Sequence, residues 1–271
     1  MVLKLATDDM KVSILASGST GNVTYIETPE HKVLVDAGLS GKKIANLMAS
    51  IDRDINEVDS LFISHEHTDH CHSAGILARK YSMDVYANQG TWDAMAHKIG
   101  NVPAELCHVF DPNTTLGLGD LDVESFSVSH DAAEPQFYEL HHAGKSFVII
   151  TDTGYVSEHV EGVIKDADGY LFECNHDLEM LRMGRYPWPL KQRIIGDEGH
   201  LSNEDGANAL MDVIGRHTKR IYLGHRSQDN NLKSLAHLTV ASMMTERDFG
   251  VEHDFQLYDT EPEQATKLIT L

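Results

Sequence analysis

Short apolar runs alternate with polar, glycine-containing turns at the start of the chain. These runs have the length and the content of β-branched and aromatic residues that predict buried strands at residues 12–15, 23–26, 32–36 and 60–64. Between the third and fourth runs, residues 40–51 repeat apolar side chains at helical spacing, with Ile44, Leu47 and Met48 on one face. The pattern therefore predicts three strands, a helix and a fourth strand, in that order.

The rest of the chain continues this alternation. Further strands are predicted at residues 84–87, 115–130, 146–152, 170–173 and 219–223, and further helices at residues 74–81, 91–99 and 202–214. Thr91 is the expected cap of the helix at 91–99, and Ser202 with Asp205 is a capping signal for the last helix. After Val251 we expect one last short strand and a polar tail. Because no repeat or linker interrupts this order, the sequence predicts a single α/β domain over residues 1–271, built from stacked helix and sheet layers.

The composition is that of an ordinary globular protein. Of the 271 residues, 41% are hydrophobic and 24% are charged, which is enough for a sizeable core. No apolar run approaches the roughly 20 residues of a membrane-spanning helix, and residues 1–11 contain no apolar signal-peptide segment. The 3 cysteines are odd in number and widely spaced, which is typical of a reducing compartment. We therefore expect a cytoplasmic protein that does not enter the membrane.

The net charge of −20 limits the classes of partner. A protein that binds nucleic acid over a whole face is normally basic, so the charge argues against that class. It leaves room for a local basic patch, and for metal ions that reverse the sign of the potential inside a cleft.

Three histidines and an aspartate follow the predicted strand at 60–64. His65 and His67 are two positions apart, so their side chains point the same way on an extended backbone. Asp69 and His70 are neighbours and must point elsewhere. Because imidazole and carboxylate groups are common metal ligands, the spacing indicates two adjacent metal ions, one at each pair. The alternative is a solvated histidine-rich loop, since the chain contains 17 histidines.

The positions of further polar residues favour the metal-binding interpretation. Phe126, Val128 and His130 alternate on one predicted strand face, so His130 is expected at the end of that strand. Eight residues share this position at, or just after, the C-terminal end of a predicted strand: Asp36, His65, His67, Asp69, His70, His130, Asp152 and His225. Strands packed into sheets bring such ends to one edge, where sites form.

This H-x-H-x-D-H spacing, with a later His, Asp and His, resembles the metallo-β-lactamase superfamily. That resemblance implies a four-layer αβ/βα sandwich with two mixed sheets flanked by helices. It implies a first divalent ion bound by His65, His67 and His130. It implies a second ion bound by Asp69, His70 and His225. Asp152 would bridge the two ions and Asp36 would orient a ligand. The ligand set suits zinc or manganese, and iron is also possible.

Longer stretches resemble the YycJ/WalJ family of this superfamily over nearly the whole chain. They are LASGS-x-GN at 15–22, SHDAAEP at 129–135, NHD at 175–177, MGRYPW at 183–188 and GHLSNED at 199–205. Members of that family are bacterial cytoplasmic 5′→3′ DNA exonucleases associated with a cell-wall-regulating two-component system, and with coordination of replication and cell division. The resemblance therefore implies an enzyme, a metal-dependent hydrolase that cleaves DNA phosphodiesters.

Two metal ions can share a hydroxide and stabilise the in-line displacement of a phosphodiester, and we expect Asp69 to hold that hydroxide. The leaving oxygen needs a proton, for which His200 is the candidate donor. His200 is placed like the non-ligand catalytic histidine of phosphodiesterase members, and Glu173 matches the glutamate that orients it there. His176 is a weaker second candidate. The alternative is that His200 is only a polar residue at the start of a helix.

Residues 180–193 are the expected DNA contact, because they contain basic and aromatic side chains and no acidic ones. Basic groups bind phosphates and aromatic rings stack on bases, which suits single strands or frayed ends. The expected contacts are Arg182, Arg185, Tyr186, Trp188, Lys191 and Arg193. A stretch packed on the body or at a dimer contact explains the pattern equally well.

Other interpretations remain open at this point. The glycine- and serine-rich turn at residues 16–22 could bind an anion through its backbone N–H groups, or could be a plain hairpin turn. The same metal site could hydrolyse a small ester, lactone or thioester. A metal-stabilised regulatory module without turnover is a third alternative. The sequence does not indicate the oligomeric state.

Overall fold

The computed structural model describes residues 9–271, and two seven-stranded sheets dominate it. The first sheet has the order β14-β1-β2-β3-β4-β5-β6. Its strands are β1 (Lys11–Ala16), β2 (Val23–Glu27), β3 (Lys32–Val35), β4 (Ser60–Phe62), β5 (Asp84–Ala87), β6 (Cys107–Val109) and β14 (Ile269–Thr270). Strands β3 to β6 pair in parallel, whereas β14, β1, β2 and β3 pair antiparallel. The sheet is therefore mixed.

The second sheet repeats this arrangement with the order β13-β12-β11-β10-β9-β8-β7. Its strands are β7 (Thr115–Leu118), β8 (Leu121–Ser127), β9 (Gln136–His142), β10 (Lys145–Ile150), β11 (Gly169–Glu173), β12 (Arg220–Gly224) and β13 (Gln256–Asp259). Strands β10 to β13 pair in parallel, and β7 to β10 pair antiparallel. In each sheet, the parallel half therefore brings several C-terminal strand ends to one edge.

The helices connect the parallel strands and cover the outer faces of the sheets. They are α1 (Gly41–Ser50), α2 (Thr68–Cys71), α3 (Ala74–Tyr81), α4 (Gln89–Ile99), α5 (Glu158–Val163), α6 (Leu178–Met183), α7 (Trp188–Ile195), α8 (Asn203–Val213) and α9 (Lys233–Glu246). Short 3₁₀ turns cover Ile55–Glu57 and Ala104–Leu106. Ser40 caps α1 and Ser202 caps α8, each through a hydroxyl that accepts a backbone N–H three residues ahead.

Alternation along the strands sends side chains to two hydrophobic cores. In β4, Leu61 packs with Ile44 and Leu77 of the outer helices, while the next residue, Phe62, faces the other way. Phe62 belongs to a larger core that includes Phe137 of the second sheet. This order of helices, sheet, sheet and helices confirms the predicted four-layer α/β sandwich. The prediction of one domain over residues 1–271 stays a prediction.

Most predicted elements are found within a residue or two of their expected bounds, and α3 and β5 have the predicted bounds. The predicted cap at Thr91 is wrong, because Asn88 accepts the N–H of Thr91 and α4 begins earlier. The expected strand at 115–130 is a hairpin, and His130 lies in the loop after β8. Strands β6, β9 and β14 were not predicted.

None of the helices within residues 9–271 combines the length and the hydropathy that a bilayer span would require. The expectation that residues 1–11 contain no signal peptide falls mostly on residues 1–8, which lie outside the described part of the chain.

Glu27, at the end of β2, is a buried carboxylate that pairs with two side chains of the first sheet and with Arg53 in the loop after α1. It accepts hydrogen bonds from Lys11 Nζ at 3.0 Å, Tyr25 Oη at 2.7 Å and Arg53 Nη2 at 2.7 Å. Burial alone would raise the pKa of Glu27, but Arg53, Tyr25 and Lys11 together lower it to about 2. The folded state therefore binds this proton less tightly than the unfolded chain does.

We expect Glu27→Gln to lower the free energy of unfolding by about 2 kcal/mol at neutral pH. Because the folded pKa is depressed, the contribution of Glu27 is present above the unfolded value of 4.5 and is lost as the pH falls toward 2. Denaturant unfolding at pH 7, and at steps between pH 5 and pH 3.5, measures the free energy of unfolding of both proteins. The difference in this free energy between Glu27→Gln and the unaltered protein must become smaller as the pH falls. Glu57→Gln removes an exposed carboxylate paired with Lys32 and is the control, with an expected change below about 0.5 kcal/mol.

Candidate metal centre

The candidate site lies where the C-terminal strand ends of the two sheets meet. Asp36 follows β3, and the histidine cluster at 65–70 follows β4, in the first sheet. Asp152, Glu173 and His225 lie at the ends of β10, β11 and β12 in the second sheet. Because these strands are parallel within each sheet, their ends lie side by side, and the two rows of polar side chains face each other.

The four-residue helix α2 positions the middle of the histidine cluster. His67 is its N-cap residue, and Asp69 and His70 lie within it. The helix packs tightly against the loop after β3, where Ala37 N donates to His70 O at 2.6 Å. A Cβ atom on Gly38 would lie 1.7 Å from Asp69 O, so only glycine fits there. The helical turn separates Asp69 and His70 from the extended His65–His67 segment.

The structure brings all the predicted ligands together in two groups. His65, His67 and His130 form one group, and Asp69, His70 and His225 form the other, with ligand atoms within 4.8 Å of one another in each. We call these groups the first seat and the second seat. Asp152 lies between them. One of its oxygens is 2.8 Å from His70 Nε2, and the other is 3.4 Å from His225 Nε2 and 3.8 Å from His130 Nε2.

The donor atoms fit divalent ions. His65 Nε2 is buried and has no hydrogen-bond partner, which is costly unless a cation satisfies it. Two ligands about 2.1 Å from one ion lie about 3.0 to 3.4 Å apart, depending on whether the ion is octahedral or tetrahedral. Within the second seat, Asp69 Oδ2 is 3.5 Å from His70 Nε2 and 3.4 Å from His225 Nε2. Imidazole and carboxylate ligands suit zinc, manganese and iron.

Asp36 contacts the site through His70 and Ser64 rather than through the ligand atoms. His70 Nδ1 donates to Asp36 Oδ2 at 2.7 Å, which leaves Nε2 directed at Asp152. Ser64 N donates to Asp36 Oδ1 at 2.8 Å. Asp36 itself has a φ of 63°, a left-handed conformation that aspartate tolerates better than most residues. This contact is consistent with the orienting role that the family resemblance implies for Asp36.

Glu173 is a fully buried carboxylate that holds two histidines with one oxygen. Its Oε1 accepts from His200 Nδ1 at 2.8 Å and from His225 Nδ1 at 3.0 Å. Its Oε2 accepts the backbone N–H groups of Thr153 at 3.0 Å and Leu201 at 3.2 Å. The sequence predicted the contact with His200 but not the contact with the ligand His225. Glu173 therefore positions both a candidate proton donor and a candidate metal ligand.

His200 lies beside both seats and reaches the cleft. Its ring centroid is 5.1 Å from that of His130 and 5.2 Å from that of His225. Its side chain is 20% exposed, so the ring edge opposite Glu173 is open to a substrate. His176, the weaker candidate, is buried and lies outside the cleft lining.

The electrostatics of the site favour positive charge. Burial lowers the pKa of His65, so this ring stays neutral, as a metal ligand must be. Burial also opposes protonation of His225, but Asp152 and Glu173 contribute to raising its pKa to about 10. The same carboxylates outweigh burial and raise the pKa of His200. Cations can thus replace protons at the second seat, while Glu173 and Asp152 favour the protonated form of His200.

Several contacts that hold the ligands were missed at the level of sequence. His130 Nδ1 donates to Gly199 O at 3.0 Å, and Ser64 Oγ lies 3.0 Å from His65 Nδ1. Asn175 Nδ2 donates to His225 O at 2.8 Å. Asn175 stands two residues after the strand-end Glu173, so its position was a signal that could have been used. The backbone carbonyl of Gly199 gives no signal in a sequence.

The cleft above the seats encloses about 240 Å³ and has α7 as one wall. Tyr186, Leu190, Arg193 and Ile194 line that wall, facing Ser19 and Ser227. Residues 180–193, expected as one basic and aromatic stretch, thus include most of two short helices and the turn between them. Trp188 is 63% exposed at the start of α7, and Tyr186 donates to Asp229 at 3.0 Å.

The basic side chains of this stretch are less available than the sequence suggested. Arg182 pairs with Glu179, Arg185 with Asp229, and Arg193 with Asp131, all carboxylates from outside residues 180–193. Lys191 is buried, and its ammonium group donates to the carbonyls of Arg182 and Gly184 at 2.7 Å and 2.6 Å. That position argues against the expected phosphate contact by Lys191, whose role is to hold the turn between α6 and α7.

Comparison with known proteins identifies close relatives. A family model described as the Beta-lactamase superfamily domain matches residues 31–225. The chain is 55% identical to the exodeoxyribonuclease WalJ of Streptococcus pneumoniae over 260 residues, which cover 95% of this chain and 97% of the relative. It is 52% identical to the exodeoxyribonuclease YycJ of Bacillus anthracis over 256 residues, which cover 94% and 97% of the two chains.

Solved structures show the same fold. The crystal structure of the metallo-β-lactamase fold protein YhfI from Bacillus subtilis superposes with a TM-score of 0.70 at 14% identity, over 96% of this chain and 99% of that one. This fold implies binding of divalent metal ions, which agrees with the donor atoms of the two seats. The chain belongs to the WalJ/YycJ family of the metallo-β-lactamase superfamily.

Proposed function

We propose that this protein is a metal-dependent exodeoxyribonuclease that hydrolyses DNA phosphodiesters. The observation that carries the proposal is the His200–Glu173 pair beside the two seats, with its 2.8 Å hydrogen bond and its open ring edge. Hydrolysis of a phosphodiester expels an alkoxide, which needs a proton donor at that place. The names of the close relatives, which are exodeoxyribonucleases, support the same activity.

Two divalent ions, zinc or manganese or iron, are the proposed cofactors. His65, His67 and His130 would hold one ion and Asp69, His70 and His225 the other, with Asp152 placed between the two groups. When bound, such a pair supplies Lewis acidity and acidifies a water molecule to near neutral pKa.

The residues of the chain perform the remaining steps. Asp69 is a partly exposed carboxylate in the second seat, so it can accept a hydrogen bond from the attacking water and direct it at phosphorus. The bond from phosphorus to the leaving oxygen breaks as the bond from the water oxygen to phosphorus forms. His200 donates its proton to that leaving oxygen, and Glu173 stabilises the protonated ring and fixes its orientation.

The other interpretations fit less well. A thioester hydrolase has no need for the His200–Glu173 pair, since a thiolate departs more easily than an alkoxide. A lactone or simple ester hydrolase would not need the exposed Trp188 beside the cleft. A regulatory module would need neither the partly exposed Asp69 nor a cleft over the seats. The presence of both features favours phosphodiester hydrolysis.

The proposed DNA contact is the α6–α7 wall of the cleft. Tyr186 and Arg193 line the cleft, and Trp188 is exposed beside it, which suits stacking of an unpaired base and contact with a phosphate. Arg182 and Arg185 are exposed and lie further out on the same stretch. Because each arginine is already paired, a DNA phosphate would have to displace or share a carboxylate partner. We therefore expect modest affinity that depends on stacking.

The finer functional assignments rest on the family resemblance. They are digestion in the 5′→3′ direction, a cytoplasmic location, and a link to cell division and to a cell-wall-regulating two-component system. An assay on 5′-phosphorylated and unphosphorylated DNA ends after loading with manganese or zinc tests the activity and its direction. Unchanged DNA under all these conditions would contradict the proposed function.

We expect His200→Ala to lower the rate of DNA digestion by about 10²- to 10⁴-fold while the protein retains its full metal content. The reason is that His200 is a proton donor and not a ligand. Metal analysis of the purified protein and single-turnover digestion measure the two quantities. His67→Ala is expected to lose bound metal, and His97→Ala, which removes an exposed histidine of α4, is expected to change neither. Normal turnover by His200→Ala would remove His200 from the mechanism.

We expect Trp188→Ala to weaken binding of single-stranded DNA about 5- to 150-fold, since stacking on one base contributes about 1–3 kcal/mol. Fluorescence anisotropy with labelled single strands, in calcium to prevent digestion, measures the affinity. Leu238→Ala removes a similarly exposed apolar side chain from α9 and is the matched control. If Trp188→Ala and Leu238→Ala bind single-stranded DNA with equal affinity, no base stacks on Trp188.

A further inference from the structure

The turn between β1 and β2, residues 17–22, has no role in the mechanism so far, although its tip at Ser19 lines the cleft. The sequence left it open as an anion-binding loop or a plain hairpin turn. Most of its N–H groups already have acceptors within the protein. Gly18 N donates to Asn22 Oδ1 at 3.1 Å, Gly21 N to Gly18 O at 3.1 Å, and Asn22 N to Asp69 O at 2.8 Å. The turn is therefore not an open anion cradle.

Asn22 connects the turn to two ligands of the second seat. Its backbone N–H holds the carbonyl of Asp69 in α2. Its side chain is 4% exposed, and Nδ2 lies 3.1 Å from both Gly18 O and His70 Nε2. His70 Nδ1 donates to Asp36, so Nε2 has one lone pair, which can bind either the amide hydrogen of Asn22 or an ion. With an ion bound, Asn22 supports the second seat through its bonds to the turn and to Asp69 O.

Ser17 connects the same turn to the third ligand. Its hydroxyl oxygen accepts the backbone N–H of His225 at 2.8 Å and donates to Asn22 Oδ1 at 3.2 Å. His225 has a φ of 51°, a left-handed conformation that is costly for residues other than glycine and needs such support. Gly224 allows this approach, because a Cβ atom there would lie 2.9 Å from Ser17 Oγ.

The first seat is held by other parts of the chain. Ser64 Oγ contacts His65, and Gly199 O accepts from His130. Within residues 9–271, the turn makes no hydrogen bond to His65, His67 or His130. The turn therefore contacts the second seat and not the first, although Ser64 Oγ lies 3.0 Å from His65 Nδ1 and 3.2 Å from His70 Nδ1, and Asp152 is also shared between the seats.

We propose that Ser17 and Asn22 are positioning residues that set the affinity of the second seat for its ion independently of the first seat. The inference rests on the proposed function only in assuming two ions. Partners that orient metal ligands typically contribute 10- to 100-fold to metal affinity. Ser17 holds His225, and the side chain of Asn22 holds the turn whose backbone N–H bonds Asp69 O, so their loss should act on the second ion.

Metal titration of the full chain tests this. Unaltered protein, Ser17→Ala and Asn22→Ala are freed of metal and titrated with Mn²⁺. Ions bound per chain are counted by native mass spectrometry, and electron paramagnetic resonance separates coupled Mn²⁺ pairs from single ions. We expect the first Mn²⁺ to bind within about twofold of normal, the second to bind 10- to 100-fold more weakly, and the coupled signal to be lost at matched Mn²⁺.

Two control variants separate positioning from general loosening. Ser17→Thr keeps the hydroxyl and is expected to restore the second ion. Ser13→Ala removes another buried serine hydroxyl of β1, which bonds to Thr266 O, and is expected to bind both ions normally. If Asn22→Ala does not fold, the affinity for the second Mn²⁺ is compared between Ser17→Ala, which lacks the hydroxyl, and Ser17→Thr, which keeps it.

Three results would overturn the inference: a normal second ion in Ser17→Ala, equal weakening of both ions, or a single ion in the unaltered protein. Failure of the proposed function is a separate outcome. A protein that binds two ions normally but leaves DNA intact would refute the nuclease activity, while the effect of Ser17 and Asn22 on the second ion would still stand.

Discussion

The carboxylate of Asp152 is the group on which the rest of the site depends. It is buried at the junction of the two sheets, and its two oxygens lie within 3.8 Å of nitrogen atoms of four histidines: His70, His130, His200 and His225. An uncompensated charge in that position would be strongly destabilising. The surrounding imidazoles compensate it, and cations bound between them would do so further. The two-sheet architecture supplies this arrangement because parallel strands in both sheets end at the same place.

Much of the fold and the ligand set could be predicted from the sequence because both depend on local patterns. The alternation and the helical spacing of apolar residues predict the strands and helices. The metal ligands come after strand ends, and the spacing of His65, His67, Asp69 and His70 is enough to identify them. What escaped prediction depends on tertiary pairing. Strand β14 is two residues long and exists only by pairing with β1, and β9 is buried on both faces and does not alternate. The shared use of Glu173 by His200 and His225 likewise requires the folded chain.

The basic stretch illustrates a different limit of sequence reasoning. A segment without acidic residues looks cationic, but in a chain of net charge −20 each arginine finds a carboxylate nearby in space. Lys191 is not paired with a carboxylate, and its ammonium group donates instead to two backbone carbonyls. The electrostatic potential near the cleft is therefore set by arginine–carboxylate pairs. An anion would have to compete with these carboxylates to reach an arginine. Such a surface favours recognition of a strand end over tight coating of long DNA.

Strand β1 and the turn that follows it are held by a distant part of the chain. Ser17 N donates to Glu261 O, and Thr266 and Leu271 also bond to the backbone of the β1 region. Ser17 therefore connects this distant segment to the second seat, because its hydroxyl also accepts the N–H of His225. Local opening of residues 261–271 would release the turn and disturb the second seat while most of the pairing in both sheets stays intact.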